Sequence, residues 1–180
     1  MGVFWAQGYE GASLDDLTGA MAINRTSMYR AFGNKEALFN AALARYTEGP
    51  ASYFARALAQ RTAEQVATAY LHGAVQATTD PERPSGCLGV QACLVAGESA
   101  RPARETLTAW RESGTAHLHD RLQRAADEGD LPVGADATLL ARYLMTVANG
   151  IAVQAAGGTA RDELQLVADT AQRTWFPVGS

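Results

Sequence analysis

The 180-residue sequence has little of what many functional classes require. It holds two cysteines and a single lysine, Lys35, beside 14 arginines. Two cysteines cannot build the disulfide framework of a small secreted domain, and scattered arginines without a basic block exclude a histone-like tail. Arg, Glu or Gln interrupts every apolar stretch within about ten residues, far short of the ~20 that cross a bilayer. The opening residues, Met1 to Gly8, carry neither a positive n-region nor a cleavage site, so no signal peptide is expected. Those absences point to a cytoplasmic chain with reduced thiols and no membrane partner. No phosphate loop or dinucleotide fingerprint occurs, and no nucleophile, base and orienting group assemble, so nothing supports an enzyme or a cofactor.

Strand signals are equally scarce. The β-branched residues never alternate with polar ones over a strand length, whereas 36 alanines and long stretches of good helix formers lie between Gly and Pro clusters. The expected fold is all-α with about nine helices. Residues 1–6 read as the tail of a first helix, stopped at Gly8 by a left-handed cap. Ser13 with Asp15 and Asp16 opens a helix to Met21, and Asn24 caps the next, which runs to Phe32 before Gly33. Asn34 starts a longer helix to Ala59, with Leu38, Ala42 and Tyr46 on one face. Further helices are expected over 62–79 (Val66, Tyr70, Ala74 and Ala77 inward), 88–96, 102–129 (Leu107, Trp110, Leu118, Leu122 and Ala125 inward), 136–155 and 159–175, the last closed by Pro177. The loop from Asp80 to Gly86 is the clearest break in the chain.

The first three helices carry the chemistry. Residues 13–32 contain two short capped helices joined through Ala22-Ile23-Asn24, the spacing of a helix-turn-helix. In such a unit the first helix crosses a DNA backbone and the second lays its N-terminal residues against base edges. Leu14, Leu17, Met21, Ile23 and Met28 fix the angle between the helices. Arg25, Thr26, Ser27, Tyr29 and Arg30 remain for the outside, where arginine can pair with guanine O6 and N7 and hydroxyls or a long tyrosine can reach phosphate. Lys35, beside the cap Asn34, adds a positive charge at a helix N-terminus with free N–H groups. Phe32 is expected in the core and Tyr29 outside.

Gly8-Tyr9, then Ser13-Leu14-Asp15-Asp16-Leu17, then Ile23-Asn24-Arg25-Thr26-Ser27-Met28-Tyr29-Arg30-Ala31-Phe32-Gly33-Asn34-Lys35-Glu36-Ala37-Leu38-Phe39 resembles the DNA-binding head of the TetR (tetracycline-repressor) family. The resemblance covers residues 1–46 and leaves 47–180 as a ligand-binding and dimerisation domain. It implies an all-α homodimer that binds a palindromic operator on double-stranded DNA and releases it when a small-molecule inducer enters the C-terminal domain. It also implies that Ser13, Ser27, Tyr29 and Lys35 contact phosphates while Arg25, Thr26 and Arg30 lie near base edges. Ala31 departs from the family pattern, which has an aromatic residue or histidine there, so one backbone contact is expected to be missing. The family head begins about a dozen residues earlier, and a late-assigned start codon is favoured because half a helix would anchor Phe4 and Trp5 weakly.

Elsewhere the signals are weaker. Tyr70, Cys87, Trp110, His117, Tyr143 and Asn149 fall among apolar helix faces, which suits either core filling or a ligand cavity with a few placed polar groups. His117 and His119 with Asp120 are a poor metal set, because positions two apart on a helix face different ways. Cys87 and Cys93 suit buried small hydrophobes better than a redox pair, since no Lys or His adjoins either thiol. A thiol switch on this fold would fail if Cys87→Ser with Cys93→Ser left its response to oxidants unchanged. Leu140, Leu144, Val147 and Ile151, with Leu164, Val167, Ala171 and Trp175, form two stripes read as a four-helix dimer interface. A helical small-molecule binding protein whose truncated head no longer engages DNA is the alternative. The net charge of −4 does not oppose DNA binding: residues 1–46 hold four basic and four acidic side chains, so the acidity lies in the remainder.

Overall fold

The computed structural model describes residues 1–91 and 100–176. Ten helices and no strands occur among them: α1 (Gly2–Gly11), α2 (Leu14–Met21), α3 (Arg25–Phe32), α4 (Lys35–Glu48), α5 (Tyr53–Leu58), α6 (Ala63–Thr78), α7 (Leu88–Gln91), α8 (Arg101–Asp127), α9 (Ala137–Ala156) and α10 (Arg161–Trp175). The expected helix over 88–96 is described only to Gln91, and Cys93 and Pro177 lie outside the described residues.

The single helix expected over 34–59 is two. α4 ends at Gly49, Pro50 and Ala51 are buried in the turn, and α5 starts afresh at Tyr53. Proline has no N–H to continue the ladder and its ring clashes with the preceding turn, so the apolar rhythm that runs through this stretch cannot keep it one helix. Gly8, at φ 73° and ψ 179°, breaks α1, but the chain closes one more turn before Ala12.

Two apolar clusters hold the molecule together. One fills the head with Phe4, Trp5, Leu17, Met28, Leu38, Phe39 and Tyr46, and it takes in Leu88, Ala103 and Leu107 from beyond residue 46. Phe4 and Trp5 are fully buried, contrary to the weak anchoring expected of a short first helix. Phe4 meets Phe39 edge-on at 5.1 Å, Trp5 meets Tyr46 edge-on at 4.9 Å, and the Trp5 indole N–H donates to the Gly86 carbonyl oxygen at 3.2 Å. Tertiary packing does here what helix length alone cannot.

The second cluster lies among α6, α8, α9 and α10. It absorbs most of the two stripes assigned to a dimer interface: Leu140, Leu144, Ile151, Leu164 and Ala171 are buried within this one chain. A period of 3.6 marks an apolar face without saying what covers it. The large apolar side chains left exposed on these helices are Leu139 and Val153 on α9 and Leu166 and Val167 on α10. Buried Arg121 donates to the Gln60 and Arg61 carbonyl oxygens at 2.8 and 2.9 Å, and Asp130 accepts from the Ala63 N–H at 2.7 Å, so the C-terminal part of α8 and the turn after it fix the start of α6. No helix among the described residues is long and apolar enough to cross a membrane.

Candidate nucleic-acid interface and effector cavity

In the head α2, α3 and α4 each start on a side-chain cap. Ser13 and Asp16 form a reciprocal capping box, with the Asp16 N–H donating to Ser13 Oγ at 3.1 Å and the Ser13 N–H to the Asp16 carboxylate at 3.2 Å. Asn24 Oδ1 accepts from the Ser27 N–H at 2.8 Å, and Asn34 Oδ1 from the Ala37 N–H at 2.7 Å. Between α2 and α3 the chain turns at Ala22, which sits in the left-handed region at φ 53°. That conformation presses an alanine Cβ against its carbonyl at a cost of roughly 1–2 kcal/mol. Ala22→Gly is therefore expected to stabilise the head by about 0.5–1 kcal/mol after glycine's extra unfolded-state entropy is offset, measurable as a higher urea midpoint.

Met28 is fully buried against α2, and Leu14, Met21, Ile23 and Phe32 close around it half-buried. This pins α3 so that Arg25, Thr26, Ser27, Tyr29 and Arg30 all face solvent, with Tyr29 45% exposed. Ser13 is also exposed, at the start of α2. Lys35 stands at the first turn of α4, its ammonium 4.7 Å from the centre of the Tyr9 ring, and partial burial there lowers its pKa. Arg25 is not isolated: its Nε and Nη2 donate to one oxygen of Asp15 at 3.1 and 2.7 Å. Asp15 was read only as a helix-dipole residue. Pairing across ten positions depends on the angle between α2 and α3, which no local spacing reveals.

A second site opens behind the head. A cavity of about 220 Å3 is walled by the end of α4, by α5, α6 and Cys87, and by α8 and α9. Of the six candidates, Tyr70, Cys87, Trp110, His117 and Asn149 line it. Tyr143 does not; it packs against the core, tilted over Trp175 at 6.0 Å. His117 faces the cavity while His119 pairs with Asp120 at 3.1 Å, and no cluster of metal-ligating groups occurs among the described residues. Cys87 accepts a hydrogen bond from the Tyr46 hydroxyl at 3.2 Å, and burial pushes its thiol pKa up, the opposite of an activated thiolate.

Tyr53, Phe54, Arg111 and Met145 also line the cavity and were missed. Tyr53 and Phe54 reach it only because the chain breaks at Gly49-Pro50 and re-aims α5, so Pro50 was the available signal. Tyr53 lies against α6 where Gly73 has no side chain; a Cβ there would stand 2.6 Å from the Tyr53 ring. A Cβ at Gly89 would likewise collide with Trp110. The Trp110 indole N–H donates to Thr47 Oγ1 at 3.0 Å, which ties the cavity wall to the last turn of α4.

Comparisons with known proteins agree with this arrangement. Residues 1–42 match the model of bacterial regulatory proteins of the tetR family, and residues 64–172 match that of the tetracyclin repressor-like C-terminal domain. The chain is 28% identical over 177 residues to the HTH-type transcriptional repressor ComR of Escherichia coli K12, covering 97% of this chain and 84% of that protein. It is 33% identical over 148 residues to the HTH-type regulator YezE of Bacillus subtilis 168, covering 79% and 74%. Among solved structures it resembles a cysteine-substituted form of the TetR family regulator CifR in complex with a 26-base-pair double-strand operator DNA, with TM-score 0.91, 38% identity, and coverage of 97% of this chain and 92% of that one. Matches to both domain models, with relatives aligned along most of their length, show that this chain belongs to the tetR family of bacterial regulatory proteins and is a DNA-binding transcriptional regulator.

Proposed function

We propose that the chain represses transcription as a homodimer on an inverted-repeat operator and lets go when a small molecule occupies the cavity. Residues 1–46 are the reading head and 47–180 the sensing and pairing domain. The observation that carries this is the position of α4. Leu38, Phe39, Ala42 and Leu43 belong to the core of the head, while Thr47, one turn on, lines the cavity and accepts from Trp110. A ligand that prefers one position of α4 over another must therefore bias the head, by no more than its difference in affinity for the two states.

The operator complex of CifR supports the DNA arm of the proposal. α3 lies in the major groove, with Arg25, Thr26 and Arg30 near base edges and Ser13, Ser27, Tyr29 and Lys35 on phosphates. The exposed apolar side chains of α9 and α10 supply the dimer face. A non-functional head is disfavoured by the full burial of Phe4 and Trp5 and the three intact caps.

The test is titration of selected operator and random DNA over a salt series. Arg25→Ala should cost about 1–3 kcal/mol on operator and relax base preference at one position, because a base contact is lost. Lys35→Ala should weaken both DNAs alike and flatten the log–log salt slope by about one, as one phosphate contact disappears. Equal losses on operator and random DNA for Arg25→Ala would remove it from base reading.

A further inference from the structure

The cavity is selective in its chemistry. Among the described residues no carboxylate lines it, and the walls are mainly aromatic and aliphatic. Tyr53 stacks on Tyr70 with centroids 6.1 Å apart, and Phe54 meets Tyr70 edge-on at 5.3 Å. Arg111, the one arginine on the described wall, already donates to the Gly89 carbonyl oxygen at 2.8 Å and to Thr108 Oγ1 at 3.3 Å, and the Ser113 and His117 side chains that also line the cavity are exposed. The Thr47 and Thr78 hydroxyls both donate to carbonyl oxygens of their own helices.

Tyr53 differs from these. Its hydroxyl makes no hydrogen bond among the described residues, yet burial raises its pKa well above the ordinary phenol value. This half-buried residue is part of the cavity wall. A phenol O–H that faces a mainly apolar cavity with no acceptor beside it is a donor free to bond an oxygen that enters the cavity. The half-buried Asn149 amide across the cavity also has no partner among the described residues, and the Tyr70 hydroxyl has only the Met145 thioether at 3.1 Å, a weak acceptor.

Size narrows the class further. At about 220 Å3 the space exceeds the ~150 Å3 that accepts benzene and falls below the ~300–1,000 Å3 of drug-sized sites. We infer that the effector is an uncharged, single-ring compound of on the order of ten non-hydrogen atoms whose one oxygen accepts a hydrogen bond from the Tyr53 hydroxyl. An ammonium group would meet no carboxylate among the described wall residues, and a carboxylate would have to compete for Arg111, already held by the Gly89 carbonyl oxygen and Thr108, or turn to the exposed His117; burying a poorly paired charge is far more costly than burying a neutral oxygen.

This inference rests on the cavity being the effector site, and its test reads binding separately from DNA release. Four probes of matched size are titrated against the full chain by tryptophan fluorescence, with Trp110 in the wall as reporter: acetophenone, ethylbenzene, benzoate and benzylamine. Acetophenone should bind about tenfold more tightly than ethylbenzene, the worth of one hydrogen bond, and the two ions should not saturate. In Tyr53→Phe the acetophenone advantage should shrink to about twofold or less while ethylbenzene affinity is retained. Equal binding of acetophenone and ethylbenzene, an ion that matches acetophenone, an unchanged ratio in Tyr53→Phe, or no binding by any probe would each overturn the inference. The ranking on the unsubstituted chain stands without any variant. Acetophenone that binds yet leaves the operator complex intact would contradict the effector role while leaving the ligand class in place.

Discussion

Replacing Leu166 and Val167 with glutamate is expected to leave the protomer folded and to lower operator affinity by about 10²–10⁴-fold, the loss incurred when two linked heads become independent. Leu166 is 65% exposed and Val167 50%, so neither substitution opens a cavity in the chain that carries it. In the proposed dimer these side chains face α9 and α10 of a second copy. Four glutamates would then meet across one two-fold axis, where each change is counted twice. Sedimentation should show the shift from dimer to monomer, and circular dichroism should show unchanged helicity. A variant that stays dimeric with full operator affinity would move the interface elsewhere. The result is informative because the buried stripe residues, Leu140 and Leu164 among them, cannot be tested this way; their replacement would damage the protomer core.

Trp5→Ala is expected to lower unfolding free energy by about 3–5 kcal/mol, the usual cost of truncating a buried large aromatic residue. For a chain of this length that corresponds to a fall in Tm of about 6–20 °C, to be compared at one protein concentration because dimerisation makes Tm concentration-dependent. Trp5 is buried, packs edge-on against Tyr46, and is hydrogen-bonded to the Gly86 carbonyl oxygen. The change empties the joint between α1, α4 and the segment that precedes α7. It should also weaken operator binding, since the head would lose its fixed relation to the sensing domain. Thermal scans of Trp5→Ala and Trp5→Phe check the claim; equal stability of Trp5→Ala and the unsubstituted chain would show that the first helix is not anchored as described.

Local chemistry makes much of the head legible in the sequence. Ser13, Asn24 and Asn34 announce three helix starts because each supplies an oxygen to otherwise unpaired N–H groups, and the structure has a cap at all three. The solvent face of α3 followed from which residues Met28 and Ile23 left over. Distance in sequence limited the rest. The Arg25–Asp15 pair and the Trp5–Gly86 hydrogen bond depend on helix packing angles that no spacing encodes. The break at Gly49-Pro50 was present in the residues but was overridden by an apolar rhythm continuing past it, and with it went Tyr53 and Phe54. Tyr143 and the α9 and α10 stripes show the remaining ambiguity: an apolar helix face can serve the chain's own core, a ligand or a second copy, and only the packing partner decides.

The central claim is that this chain reads an inverted repeat as a pair. It is tested most directly by selecting the DNA that the full chain binds from a random duplex pool and footprinting the enriched site. Two half-sites in inverted orientation, their centres about one helical turn or ~34–36 Å apart or a multiple of it, with protection that steepens with salt dilution, are the predicted result. Enrichment of a single unrepeated element, or of no sequence at all, would contradict it.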